Sequence, residues 1–238
     1  MTDASDELAA ARALVTVSTQ RLVGDTIGVD DPSWREPSRL PHWSRSHVAT
    51  HLARNADGLR RLTEWARTCE RQDMYASAQV REDEIEAGAG RSGLELQIDL
   101  DTSAERLTEG FAALDETDAW DREVELRGGQ RLAARLLPVA RLTEVVLHHV
   151  DLDIGYEVSD IDDETADFVL EWSAHRLGAR DEFPRLQLRS DTGLHTDLGS
   201  SGSPRTVTGS SSALLGWLTG RATPDTVRGA GDLVLPGL

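Results

Sequence analysis

One stretch of this chain limits its fold more than any other: residues 142–154, where apolar side chains cover almost the whole circumference of a helix and a single polar stripe interrupts them. At about 100° per residue, Leu142, Val146 and Val150 make the main face, and Val145, Leu147, Leu152 and Ile154 carry apolar character around the rest. A helix of this kind is buried nearly all round, so the rest of the domain has to be built around it. The stripe is Glu144, His148 and Asp151. A buried polar group without a partner costs about 1–3 kcal/mol, so this stripe has to meet polar groups or an ion.

The remaining periods supply the elements that would do the wrapping. Residues 4–23 read as an amphipathic helix with Leu8, Ala11, Leu14, Val15 and Leu22 on one face. Pro32, Pro37 and Pro41 make 24–45 a loop, after which Ser44 or Ser46 caps a second helix running to about Arg71. A short helix and an irregular connection fit 73–92, and a third helix starts near Asp101 or Ser103 with Leu107, Phe111 and Leu114 inward. Gly128-Gly129 reads as the turn of a small hairpin between 122–126 and 131–134, and the fourth helix follows Pro138 and ends near Gly155. After Asp160 the long helical periods give way to short segments punctuated by Gly, Pro and Ser, which predicts a domain boundary. There a helix is expected over 163–178, strands over 185–189, 194–198, 205–207 and 233–235, and a helix over 211–219. The expected fold class is α+β: a metal-binding helical bundle over 1–160 and a small α+β domain over 161–238.

On a helical wheel the second helix gathers Val48, Leu52, Leu59, Leu62 and Ala66 into one sector, with His51 at its edge, Asn55 inward and His47 further out. Glu144 and His148, four residues apart, share a face and can close on one ion. Catalytic zinc takes three His or carboxylate ligands and keeps one position open, a count that His51, Glu144 and His148 meet if the two helices face each other. Asp151 would then accept the second ring proton of a ligating histidine. A hydrogen-bonded interhelical network satisfies the same pattern, and His47 as a fourth ligand would make a closed, non-catalytic zinc module. His149 points into the apolar sector as a packing residue, and His42, His175 and His195 have no comparable company.

Composition narrows the partners. The single cysteine, Cys69, excludes an intramolecular disulfide and any Cys-rich zinc motif. Forty-two acidic residues against 25 basic ones, all arginine, give a formal charge of −17, which disfavours nucleic acid and anionic membranes. No run approaches the ~18–20 apolar residues of a membrane span, and the first residues lack the basic start of a signal peptide, so a cytoplasmic location is expected.

Four segments taken together resemble the mycothiol-dependent maleylpyruvate isomerases: HWSRSHVATHLARNADGL at 42–59, MYASAQVREDEIEAGAG at 74–90, RLTEVVLHHVDLDIGY at 141–156 and SSALLGWLTGRA at 211–222. The resemblance implies a DinB-like zinc-binding four-helix bundle with a small C-terminal α+β domain. It places His51, Glu144 and His148 at the zinc-ligand positions and makes Arg221 a functional residue, orienting a carboxylate of a dianionic substrate. Arg81 is a second anion-binding candidate, toward the cofactor. The implied reaction turns maleylpyruvate into fumarylpyruvate: a zinc-activated thiolate adds reversibly to the conjugated double bond, which rotates as a single bond before the thiol leaves. The implied thiol is mycothiol, a low-molecular-weight cofactor, since Cys69 lies about five turns beyond His51 on one helix. The alternative is a mycothiol S-transferase using the same thiolate on electrophilic xenobiotics.

Overall fold

The computed structural model describes residues 4–231 and 233–236. It divides into two compact units, residues 1–155 and 156–238, so the division falls in the connection after the fourth long helix. The fold class is the expected α+β.

Four long helices build the first unit: α1 (Ala4–Thr26), α3 (Arg45–Thr68), α5 (Gly93–Thr117) and α6 (Leu137–Asp151), with the short α2 (Asp31–Trp34) and α4 (Ala78–Gly88) between them. Helix α3 packs on α5 and α6, and α1 packs on α6 and α5, which closes a four-membered ring around an apolar centre. Leu22, Trp34, Val48, Leu52, Leu96, Leu100 and Val145 lie in that centre, contributed by five of the helices. Each boundary has a local cause. Ser44 precedes α3, whose end is turned by Cys69 in the left-handed region at φ 63°. Ser77 accepts from Val80 N–H at the start of α4, and Pro138 sits in the first turn of α6. The hairpin forms as expected, with β1 (Glu123–Glu125) antiparallel to β2 (Arg131–Ala133).

Helix α5 starts at Gly93, eight to ten residues ahead of the expected start. Ser92 and Glu95 form a reciprocal capping box there, and Asp31 Oδ1 accepts from Gly93 N–H at 2.7 Å. A side chain at residue 93 would lie 2.6 Å from the Trp34 ring, so this contact needs glycine. The early turns were hidden because Leu94 and Ile98 point outward, 67% and 52% exposed, out of phase with buried Leu96 and Leu100. The expected loop over 24–45 holds α2, a single turn that Asp30 caps by accepting from Ser33 N–H at 2.9 Å.

The second unit contains α7 (Asp163–Gly178), α8 (Ser211–Leu218) and a three-stranded sheet. Strand β3 (Pro184–Ser190) is central, antiparallel to β4 (His195–Leu198) and parallel to β5 (Ser201–Gly209). Leu186, Leu188 and Val207 of the sheet are buried, as are Val169 and Leu170 of α7 and Leu214 and Leu215 of α8. Gly199, at φ +73°, fits where a Cβ would come within 2.3 Å of the Pro184 carbonyl. The strand expected over 233–235 is not formed: those residues are described without regular structure, and no partner strand in the sheet lies opposite them. No helix of the described residues is long and apolar enough to cross a membrane.

Candidate metal centre

Helices α3 and α6 face each other with His51 on one and Glu144 and His148 on the other. His51 Nε2 lies 3.0 Å from Glu144 Oε2 and 3.1 Å from His148 Nε2, and Glu144 Oε2 is 3.4 Å from His148 Nε2. Donors about 2.1 Å from a tetrahedral ion stand about 3.4 Å apart, so the triangle has the size that one ion requires. Among the described residues this is the one group of His, Cys or carboxylate side chains close enough to share an ion. The side chains of His51 and His148 are 8% and 16% exposed, whereas Glu144 is 34% exposed. The cluster is therefore closed on the core side and open at the carboxylate.

Several contacts hold the two helices in this register. Arg141, one turn before Glu144, is 2% exposed, and its Nη1 donates to Leu52 O and to Asn55 Oδ1, both at 2.8 Å. At the other end of α6, Arg45 donates from Nε to Leu152 O and from Nη2 to Asp153 O, each at 2.9 Å. These are carbonyls that a helix end leaves unsatisfied. Trp43 walls His51, its ring tilted over the imidazole with centroids 5.4 Å apart.

The buried Asp151 lies 2.8 Å from His148 Nδ1. That pairing holds a ring proton on Nδ1, so Nε2 is the nitrogen His148 would offer to an ion at the triangle once its other proton leaves. Burial pulls His148 toward the neutral form, but its hydrogen bonds to Asp151 and Glu144 outweigh burial and raise its pKa. Burial likewise raises Glu144, but hydrogen bonds from His148 and His51 overcome it and hold the carboxyl well below 4.5. For His51 burial dominates, opposed by the Glu144 hydrogen bond, and its pKa is pushed down to about 4. At neutral pH the cluster thus offers an ionised carboxylate and a neutral His51, a donor set suited to a divalent cation. An Asp151→Asn variant should keep the fold and weaken zinc binding by about 10–100-fold; competition against a chromophoric chelator measures it.

The other expected residues fall in several places. His47 stays out of the cluster: its Nδ1 accepts from Ser44 N–H at 3.2 Å, and its Nε2 is 3.1 Å from Glu86. His149 is buried and lies 3.1 Å from Asp25. Cys69 is exposed at the end of α3. Arg81, on α4, reaches the cluster, with Nη2 3.1 Å from His51 Nδ1 and the guanidinium over the Tyr75 ring at 5.6 Å. Arg221 belongs to the second unit, just beyond α8, where its Nη1 donates to Thr219 O at 3.0 Å. Arg141, Trp43 and Tyr75 also border the site, beyond the residues that the sequence pattern singles out. Tyr75 adjoins the cluster, and its hydroxyl is raised by burial and by the charge of Glu144. For Arg141 there was a usable signal, an arginine three residues before Glu144 on a helix otherwise apolar around its circumference.

Comparison with known proteins places the chain among relatives of the same fold. Residues 15–153 match the family model of the mycothiol maleylpyruvate isomerase N-terminal domain. Two solved structures, a mycothiol-dependent maleylpyruvate isomerase and a histidine-to-alanine mutant of it, are each similar to this chain at 27% identity and a TM-score of 0.85, covering 99% of both chains. No curated protein sequence matches.

Proposed function

The chain belongs to the mycothiol maleylpyruvate isomerase family, and from that premise we propose that it catalyses the mycothiol-dependent cis–trans isomerisation of maleylpyruvate to fumarylpyruvate. The observation that carries this reading is the triangle of His51, Glu144 and His148, three ligand atoms from facing helices with their open side at Glu144. These residues would hold zinc, and zinc when bound would favour the thiolate of mycothiol, whose reversible addition to a conjugated double bond is the chemistry required.

The chain's own part is to bind and orient. His51, Glu144 and His148 fix the ligand directions, and Asp151 sets the His148 tautomer. Trp43 excludes water from one side of His51, which strengthens the electrostatics of the cluster. Arg221 is assigned to the substrate, because a guanidinium fork matches a carboxylate and stabilises negative charge developing on the conjugated carbonyl. Arg81 is assigned to an anionic group at the open side.

A spectrophotometric assay of the zinc-loaded protein with maleylpyruvate, with and without mycothiol, tests the reading. Conversion that needs the thiol supports it. The Arg221→Ala variant should keep its zinc and lose isomerisation; full activity in that variant would remove the carboxylate role. No conversion by zinc-loaded, thiol-bound protein would transfer the reading to a mycothiol S-transferase.

A further inference from the structure

Arg81 Nη2 lies 3.1 Å from His51 Nδ1. A guanidinium nitrogen can only donate, so the ring nitrogen it meets is the one without a proton. A ring whose Nδ1 accepts in this way is a neutral imidazole and carries one proton. Its single proton therefore sits on Nε2, directed at Glu144 Oε2 3.0 Å away. An ion at the triad needs the Nε2 lone pair, which moves that proton to Nδ1. Arg81 would then face an N–H with an N–H. The ring neither gains nor loses a proton between the two arrangements, yet each excludes the other.

A second observation concerns charge. Acidic residues outnumber arginines 42 to 25, yet among the described residues no carboxylate of the protein lies within the 4.0 Å ion-pair distance of Arg81. The guanidinium is held by His51 and rests on Tyr75, one imidazole ring away from the ligand atoms. A half-buried arginine in that position is a binding site for an external anion once its tie to His51 is broken.

We propose that an ion at the triad and the Arg81–His51 hydrogen bond are mutually exclusive, and that Arg81, released by the ion, binds a carboxylate of a small molecule entering at the open side. The proposal rests on the reading of the triad as a divalent-metal site. It makes carboxylate binding depend on the metal and, by reciprocity, makes the metal bind more tightly when a carboxylate is present.

Zinc affinity of the full chain, measured by competition with a chromophoric chelator with and without maleate as the dicarboxylate probe, tests this in the wild type and in Arg81→Met. The variant should bind zinc about three- to tenfold more tightly, because no hydrogen bond competes for the His51 tautomer. Maleate should tighten zinc in the wild type and have no such effect in the variant. Nitrogen NMR of histidine-labelled wild-type protein should show the His51 proton moving from Nε2 to Nδ1 as zinc is added, a readout that needs no substitution. Equal or weaker zinc binding by Arg81→Met, a maleate effect undiminished in it, or an unmoved proton would each overturn the proposal. Zinc bound by neither protein would remove the metal reading itself, and this inference with it.

Discussion

The His51→Ala protein should contain almost no zinc and convert maleylpyruvate no faster than mycothiol does alone. His51 is the one ligand supplied by α3; without it Glu144 and His148 remain, two donors four residues apart on α6. Losing a ligand should cost more than the 10–100-fold typical of losing an outer partner such as Asp151. The loss is also visible without an assay. A ligand present at 100 times its dissociation constant stabilises the native state by about 2.7 kcal/mol. For a chain of this size that raises Tm by roughly 5–10 °C. The wild type should show that rise on addition of zinc, and His51→Ala should not. His47→Ala should keep it, since the His47 ring nitrogens face Ser44 and Glu86 instead of the triangle. Zinc retained in full by His51→Ala would place the ion elsewhere.

What could be seen in advance follows from the range of each interaction. The polar stripe of Glu144, His148 and Asp151 lies within two turns of one helix, so its shared face follows from helical period alone, and the structure brings the His148–Asp151 pair to 2.8 Å. Helix α7 and the hairpin around Gly128-Gly129 are likewise local, and both formed where their patterns lie. The juxtaposition of His51 with residues 93 and 97 positions later is a tertiary fact. Wheel geometry allowed it, but only the packing of α3 on α6 supplies the distance. The start of α5 was hidden for the opposite reason: its signal is a capping box whose first N–H is tied 62 residues back to Asp31, and its first apolar side chains face outward. The apolar run 233–235 fits a short strand, but a β-prone run without a neighbouring edge does not make one. Arg141 was missed because a period analysis sorts residues by face and does not ask what a charge does there. A guanidinium on the core side of a buried helix needs acceptors from another element.

Those acceptors make Arg141 the residue whose truncation should most damage the fold of the first unit. Its Nη1 joins α6 to the Leu52 carbonyl and to Asn55 on α3, one and four residues beyond His51. Burial pulls its pKa down to about 10 against the raising influence of Glu144, Tyr75 and Asp57, so the charge is held at a cost that neighbouring negative groups partly offset. Arg141→Ala removes the cross-tie, leaves Asn55 without this donor and opens a large cavity beside the ligands. Losses of this kind cost about 3–5 kcal/mol. Thermal denaturation should therefore show a fall in Tm of roughly 10 °C, measured without zinc so that metal loss does not contribute. Arg141→Met should fall between the variant and the wild type, because it fills most of the space and buries no charge, yet still leaves Asn55 without the guanidinium. The metal should respond differently from the fold. Both variants lose the tie that sets α3 against α6, so both should bind zinc more weakly than the wild type, even where Met restores much of the stability. Wild-type zinc affinity in Arg141→Met would show that packing alone holds the two helices in register; wild-type Tm in Arg141→Ala would show that the cross-tie adds nothing to the fold.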